Sequence, residues 1–414
     1  MRRPMLLRSF YLFTGLRWFR LTGALWMLYL LSAGWPLWQV GAAEGAYHVV
    51  GFLSAIPTGS YADALGRRRS VVMGLAIGGV SLLGTYYWAP QTFWGGLAAM
   101  ALGALGWNFV SGADQALPAD LAAGDPDPER AYRRALGRAD ALGLLSGAAA
   151  AALGGLMATA WGWVWPYVLG AASLFIAIPV VLTLPEPRRE ARPHGEVAAS
   201  VWATMESGVR LVRAVPALFG FVVFGGVLGV VTTMNHLYAQ TTLVTKGDAV
   251  AVATAVIAVN NLLAAASSAM AQRLPQGTRS ILALRIGALL VSVLVGTMGG
   301  AVGLIATALF LLSGIADGGL EVLYIAELTA WIPPALRATV LSIPDSLFSL
   351  GMIVCFPLSA WTMGRFGLAP TYAGWGVMLA LLTFWTWRQS GRSRGSQADP
   401  LGARATKSAW EPGN

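Results

Sequence analysis

Two pairs of ionisable side chains lie within long apolar runs of this sequence and have the right types for proton transfer. Glu44 and His48 are four residues apart, as are Asp317 and Glu321, so each pair would share one face of a helix. An ionisable group at membrane depth is costly and usually functional, and a glutamate beside a histidine suits proton binding and release. Two alternatives stay open, namely that Glu44 is solvated near the outer water layer and that Asp317 forms a structural ion pair with an arginine. The possible partners for that pair are Arg17, Arg20 and Arg285.

Further polar and aromatic residues in apolar runs are candidates for a substrate cavity or for proton coupling. Asp345 is a candidate for coupling, or for an ion pair with Arg20. A polar side chain within a membrane is costly unless it faces a cavity or bonds across helices, and a deep tryptophan lines a pocket or contacts lipid. The candidate cavity residues are Arg20, Trp26, Trp107, Asn235, His236, Asn260 and Asn261.

These candidates require membrane-spanning helices to position them, and the composition predicts such helices. Of 414 residues, 56% are hydrophobic and 11% are charged, whereas soluble domains carry about 25% charged residues. A helix needs about 20 mainly apolar residues to cross the bilayer. We predict an all-α integral membrane protein with twelve such helices, at 12–33, 38–61, 70–88, 92–117, 136–160, 163–184, 216–240, 249–271, 280–299, 301–326, 339–362 and 368–388.

The distribution of basic residues predicts the orientation of these spans. With both termini in the cytoplasm, the cytoplasmic side receives nearly all arginines, and the opposite side keeps only Lys246 and Arg365. The net charge of +9 therefore reflects membrane topology and gives no reason to expect a nucleic-acid partner. We expect a multi-pass protein of a bacterial inner membrane.

The longest polar stretch in the middle of the chain divides the spans six and six. We predict an N-terminal half at 1–184 and a cytoplasmic linker with an amphipathic surface helix at 185–215. A C-terminal half follows at 216–388, and the polar tail at 389–414 is predicted to be disordered.

The residue inventory argues against catalytic and metal chemistry. Cys355 is the only cysteine, so no intramolecular disulfide can form. The three histidines are not at metal-ligand spacing, and no phosphate-binding G-x-x-x-x-G-K-[ST] or Ser/His/Asp constellation occurs. We therefore predict no enzyme activity, no cofactor and no metal, and expect an ion gradient to drive any transport.

One polar turn carries a specific pattern between the second and third predicted spans. The spacing there is G-x-x-x-D-x-x-G-R-R, formed by Gly59, Asp63, Gly66, Arg67 and Arg68. We predict that Gly66 permits a tight turn with a positive φ. This resembles the signature loop of the major facilitator superfamily, and the six-plus-six layout resembles that family too. The segments Ser111–Leu117 and Arg337–Ser342 resemble a bacterial drug-efflux branch, although the fourth span lacks that branch's arginine and the fifth lacks its Gly-Pro-x-x-Gly-Gly element.

The resemblance implies a conformational latch at this turn. In the family, the aspartate corresponding to Asp63 caps the eleventh helix, which begins near Arg337, and the loop arginines pair with an acid at the end of the fourth helix. Asp114 and Asp120 are the candidates for that acid. Breaking the latch would favour the other conformation of the transporter.

The resemblance also implies a secondary active transporter that works by alternating access, as a monomer in lipid. We expect a small-molecule substrate and protons as partners, and efflux of an amphipathic or aromatic compound. The alternatives are proton-coupled transport of a native metabolite and a membrane sensor that keeps the fold without transporting.

Overall fold

A computed structural model of the chain describes residues 3–114, 117–122, 125, 127–185, 206, 208–274, 278–332 and 337–394. Nearly all of these residues are helical, and none of them is in a strand. Most of the expected linker and tail lies outside the described residues. The last helix continues to Arg394, beyond the predicted boundary at 388.

The described helices follow the chain without any intervening sheet. The N-terminal half contains α1 (Arg3–Trp18), α2 (Trp26–Ser32), α3 (Leu37–Leu65), α4 (Arg67–Trp88), α5 (Phe93–Asp114), α6 (Leu117–Ala122), α7 (Pro128–Trp161) and α8 (Val164–Leu182). The C-terminal half contains α9 (Pro216–Thr245), α10 (Val250–Ala271), α11 (Thr278–Met298), α12 (Gly303–Ala330), α13 (Arg337–Phe366) and α14 (Leu368–Arg394).

Twelve spans account for this arrangement, as the sequence predicts. Within the part of the chain that the structure describes, ten helices are long and apolar enough to cross a membrane, namely α4, α5, α7 and α8 to α14. The eleventh is α3, which has 29 residues and is more polar because it carries Glu44 and His48. The twelfth is a broken span made of α1 and α2. The predicted twelve-helix membrane fold is therefore confirmed.

The first span differs from the single helix predicted at 12–33. Its helix stops at Trp18 and resumes at Trp26, and side chains from other helices bind the backbone groups that the break leaves free. The Gln240 amide donates to the Gly23 carbonyl at 3.1 Å and accepts from the Met27 N–H at 3.3 Å. Irregular backbone at membrane depth is stable only when its polar groups are bonded in this way.

The two ends of the helix bundle differ in their connections. At the loop end, Gly66 joins α3 to α4 with a φ of 105°, a conformation that a side chain would strain, as the predicted tight turn requires. At the opposite end, short turns join α2 to α3 and α13 to α14. We call this second end the sealed end, because the two halves pack against each other there.

Close helix contacts join the halves at the sealed end. A Cβ atom on Gly41 of α3 would overlap the Cβ of Ala360 of α13, so only glycine allows this approach. Trp26 of α2 stacks on Phe356 of α13 with ring centroids 6.5 Å apart. Nearer the loop end, Gly59 of α3 faces open space. The halves therefore meet at one end and enclose a space behind it.

Candidate functional site

A central cavity of about 580 Å³ lies between the two halves. This volume falls within the usual range for small-molecule sites. Its N-terminal wall comes from α1, the break, α2 to α5, α7 and α8, and its C-terminal wall comes from α9 and α10. The polar and aromatic lining residues include Arg17, Arg20, Trp26, Glu44, Tyr47, His48, Trp107, Thr233, His236 and Asn261.

Two arginines and a tryptophan form the most charged part of this lining. The Cζ atoms of Arg17 and Arg20 lie 4.8 Å and 5.3 Å from the ring centroid of Trp107. The Trp18 ring meets Trp107 edge-on at 5.8 Å. These distances are typical of cation–π contacts, each contributing about 0.5–2 kcal/mol depending on desolvation. We call Arg17, Arg20 and Trp107 the arginine cradle.

The break in the first span explains how the arginine cradle forms. Arg17 lies in the last turn of α1, where the negative end of the helix dipole favours a cation. Arg20 follows in the non-helical segment, so the chain can turn both side chains toward one ring. Arg17 is buried with 6% exposure, whereas Arg20 is exposed to the cavity.

The predicted Glu44–His48 pair forms on α3 and faces the same cavity. The Nε2 atom of His48 lies 3.5 Å from Oε1 of Glu44, and the two side chains are only 14% and 12% exposed. The Glu44 side chain is therefore largely buried beside the central cavity and is not surrounded by water. The His48 ring also meets Phe348 of the other half edge-on, with centroids 5.6 Å apart.

A smaller cavity of about 240 Å³ lies within the C-terminal half and adjoins the central one. The two cavities share Thr233, His236 and Asn261 as lining residues. The polar residues that complete its lining are Thr232, Asn235, Asn260, Ser313 and Asp317. The sequence candidates on α9, α10 and α12 therefore converge on one pocket.

Two asparagines in this smaller cavity are buried and held by hydrogen bonds. The Nδ2 of Asn235 donates to Oγ of Ser313 at 2.9 Å, and the Nδ2 of Asn260 donates to the Phe310 carbonyl at 2.8 Å. The Oδ1 atom of Asn235 is buried and has no hydrogen-bond partner. Asp317 of α12 and Thr232 of α9 line the same cavity, and the Thr232 hydroxyl donates to the Gly229 carbonyl at 3.4 Å.

Two other carboxylate candidates lie apart from both cavities. Glu321 is exposed and does not line either cavity, although it follows Asp317 by one turn. Asp345 is also exposed, and among the described residues no ion pair joins it to Arg20 or joins Asp317 to any arginine. Of the predicted coupling residues, Glu44, His48 and Asp317 thus face the interior.

The predicted latch residues lie toward the loop-end termini of α3, α4, α5 and α13 and in the short α6. Arg68 donates hydrogen bonds from Nη1 to the carbonyls of Leu182 and Leu184, at 3.4 and 3.2 Å, which ties the turn to the end of α8. Asp63, Asp114, Asp120 and Arg337 lie in the helices, and their side chains fall outside the described part of the structure. Their role as a latch stays a prediction.

Sequence reasoning did not identify two important residues. Arg17 was expected only as a possible ion-pair partner. The signal that could have identified it is a second arginine, Arg20, only three residues later in an apolar, aromatic segment. Gln240 bridges the halves by binding the broken first span, and a lone glutamine in an apolar run gives no hint of such a distant partner.

Comparisons with known proteins agree with this architecture. The family model described as Major Facilitator Superfamily matches residues 7–307. No curated protein sequence matches the chain significantly. Among solved structures, the chain is similar to a mutant of the nucleoside transporter NupG, with a TM-score of 0.73 at 15% identity over 93% of this chain and 99% of that one.

Two further solved structures have the same fold. A D-xylose-proton symporter matches with a TM-score of 0.69 at 15% identity, over 93% of this chain and 97% of that chain. A bacterial homolog of the human lysosomal transporter Spinster, in an inward-facing and unoccupied conformation, matches with a TM-score of 0.70 at 16% identity, over 96% and 99%. These structures share the fold with this chain. Because the sequence identity is low, their substrates are not assigned to it.

The resemblance to a transporter superfamily is thereby confirmed, whereas the drug-efflux branch stays a prediction. The family match covers most of the chain, and the two halves enclose a cavity of suitable size for a small molecule. The chain belongs to the Major Facilitator Superfamily, and this membership indicates a multi-pass transporter rather than an enzyme.

Proposed function

We propose that this protein transports a small aromatic compound carrying a negative charge together with a proton. The observation that carries this proposal is the arginine cradle, in which two guanidinium groups lie beside one tryptophan ring in the central cavity. Guanidinium groups bind carboxylates, sulfonates and phosphates well, because they present several N–H donors in one plane. The tryptophan rings that line the cavity can stack on, or meet edge-on, the planar ring of an aromatic substrate.

The balance of charge supports an anion. Among the described residues that line the central cavity, the formally charged ones are Arg17, Arg20 and Glu44. The lining therefore carries a net formal charge of +1 when its two histidines, His48 and His236, are counted as neutral. A cationic amphipathic drug would meet two fixed positive charges there. We therefore favour an anionic substrate over the cationic compounds that many efflux proteins carry.

The position of the Glu44–His48 pair supports favourable coupling between proton binding and anion binding. A proton bound to this pair adds positive charge to the cavity wall and attracts an anion more strongly. Binding free energies are reciprocal, so the anion also strengthens proton binding. Ligands that favour each other's binding move together, and symport follows more naturally than exchange.

The contacts at the sealed end support alternating access. Gln240, the Gly41–Ala360 approach and the Trp26–Phe356 stack close one end of the cavity, as one state of such a transporter requires. We propose that the loop end faces the cytoplasm of a bacterial cell, as the arginine distribution predicts, and that the Asp63 turn latches that end in the other state.

Proton-coupled efflux of an aromatic compound is the second candidate. The similarity of Ser111–Leu117 and Arg337–Ser342 to the efflux branch favours it, and so does the aromatic lining. In this case a proton would compete with the substrate instead of accompanying it. The direction of the proton gradient that drives accumulation in liposomes distinguishes efflux by exchange from symport.

The test uses the full chain reconstituted in liposomes. We would impose a proton gradient in either direction and follow uptake of 2-naphthalenesulfonate, indole-3-acetate and benzoate. Symport predicts accumulation of at least one probe when the outside is acidic, abolished by an uncoupler. Liposomes without protein measure passive leakage.

Two results would overturn the proposal. Accumulation driven by an acidic lumen would establish exchange, and hence the second candidate. The same uptake with and without protein, for all three anions and under both gradients, would remove anion transport altogether and direct attention to neutral metabolites or to a non-transporting sensor.

A further inference from the structure

The smaller cavity is lined by several side-chain oxygen atoms, and at least one of them accepts no hydrogen bond from the protein. Thr232 and Asn235 lie three residues apart on α9, and Ser313 and Asp317 lie four apart on α12, so the two helices present these groups to the same space. In the described part of the chain, Asp317 is the one carboxylate that lines this cavity. A carboxylate within a membrane protein normally marks a functional site.

An unpartnered oxygen points independently to a missing ligand. Asn235 is 4% exposed, and its Nδ2 is fixed by Ser313, so its Oδ1 is the atom left free. A buried acceptor without a partner costs about 1–3 kcal/mol, and each such case needs a physical explanation such as a bound water or ion. Because it is an acceptor, the ligand that satisfies it is a hydrogen-bond donor or a cation.

The geometry points to a monovalent cation site for sodium, formed by the Asp317 carboxylate, the Asn235 Oδ1 and the Thr232 hydroxyl, with Asn261 at its opening to the central cavity. Hard cations prefer oxygen ligands such as those of carboxylate, amide and hydroxyl groups. A single carboxylate compensates one positive charge. Divalent calcium sites gather more carboxylate oxygens than this pocket holds.

The location gives the bound ion a role. The two cavities share Thr233, His236 and Asn261, so a cation beside Asp317 lies next to the substrate space without occupying the arginine cradle. Its charge would strengthen binding of an anionic substrate for the same electrostatic reason as a proton on Glu44. The sodium site is independent of the proposed function, which assigns the proton to Glu44 and His48.

Sodium binding can be measured without any substrate. The purified full chain would be unfolded thermally in choline chloride, with sodium or potassium chloride replacing choline at constant ionic strength. A ligand that binds only the folded state raises the apparent Tm with concentration. We expect a saturable upward shift with sodium and a smaller one with potassium.

Substitutions identify the ligands. Asp317→Asn and Asn235→Leu are expected to abolish the sodium-dependent shift. Glu321→Gln is the matched control, because this carboxylate lies one turn from Asp317 and lines neither cavity, and its shift should equal that of wild type. If Asp317→Asn does not fold, Thr232→Val removes a ligand without touching the carboxylate and should weaken the sodium response.

The proposal fails if sodium produces no more stabilisation than choline, which would leave Asp317 as a group that binds only protons or water. It also fails if the Asp317→Asn protein responds to sodium as wild type does. Neither result affects the proposed transport of an anion, because that proposal depends on flux of the probe and on the arginine cradle.

Discussion

The two halves of the bundle build chemically different walls around one cavity. The N-terminal wall contributes two arginines beside Trp107 and the Glu44–His48 pair. The C-terminal half contributes Thr233, His236 and Asn261 to this cavity, and in the smaller cavity that adjoins it, amides and hydroxyls lie around Asp317, the one carboxylate there among the described residues. Both halves are six-span bundles, so the difference lies in side chains and in the break of the first span. We infer that one half recognises the charge of the substrate and that the other supplies neutral contacts and an ion site.

The largest effect is expected from removing a charge of the N-terminal wall. Arg20→Gln should lower kcat/KM for an anionic aromatic probe on the order of 100-fold, since losing the partner of a desolvated charge costs about 2–5 kcal/mol. The measurement is initial uptake in liposomes. Arg210→Gln is the control, because Arg210 is exposed and pairs with Glu206 at 2.7 Å outside the cavity. Equal losses in both proteins would contradict the assignment.

Neutralising Glu44, the proposed proton carrier, should separate proton coupling from substrate binding. Glu44→Gln keeps the shape of the side chain and cannot become charged, so proton-driven accumulation should disappear. Exchange of internal for external substrate, which needs no net proton movement, should fall less than about tenfold. Both are measured in the same liposomes. Loss of exchange together with accumulation would show that Glu44 serves substrate binding instead.

Breaking the bridge between the halves should loosen the sealed end. Gln240→Leu leaves the Gly23 carbonyl and the Met27 N–H without partners, at a cost of about 1–3 kcal/mol. We expect a lower apparent Tm and faster thiol labelling of Ala43→Cys, a position with 0% exposure on α3, in a Cys355→Ser background. Unchanged labelling would show that Gln240 does not hold this end closed.

The smallest effect is expected at the ring of the arginine cradle. Trp107→Leu removes the cation–π contacts, each contributing about 0.5–2 kcal/mol, and should raise the KM for an aromatic anion about tenfold. Trp88→Leu is a suitable control, since Trp88 is exposed at the end of α4. The increase in KM should be smaller for a non-aromatic anion than for an aromatic one, and equal increases for both would contradict a role for the Trp107 ring.

The sequence predicted those features that depend on local pattern. Apolar runs of about 20 residues gave the span count, and the Gly66 turn has the positive φ that its pattern indicates. The i, i+4 spacing of Glu44 and His48 placed both side chains on one face, and they do form a pair. Helical periodicity determines these relations within a single element, so no knowledge of the packing is needed.

Relations between distant elements could not be predicted in the same way. The break after Trp18 depends on Gln240, more than two hundred positions later, which binds the free backbone groups. Asp317 and Glu321 share a helix and a spacing, yet only Asp317 lines a cavity, because helix rotation against α9 and α10 decides which one faces inward. Spacing within one helix does not reveal that rotation.

We infer that the arginine cradle selects a negative charge on an aromatic ring. Calorimetric titration of the purified chain with 2-naphthalenesulfonate and with its trimethylammonium counterpart tests it most directly, because the two ligands share a ring and differ in charge. We predict saturable binding of the sulfonate that is lost in Arg20→Gln, and no binding of the ammonium compound. Preferential binding of the ammonium compound, or sulfonate binding unchanged by Arg20→Gln, would contradict the account.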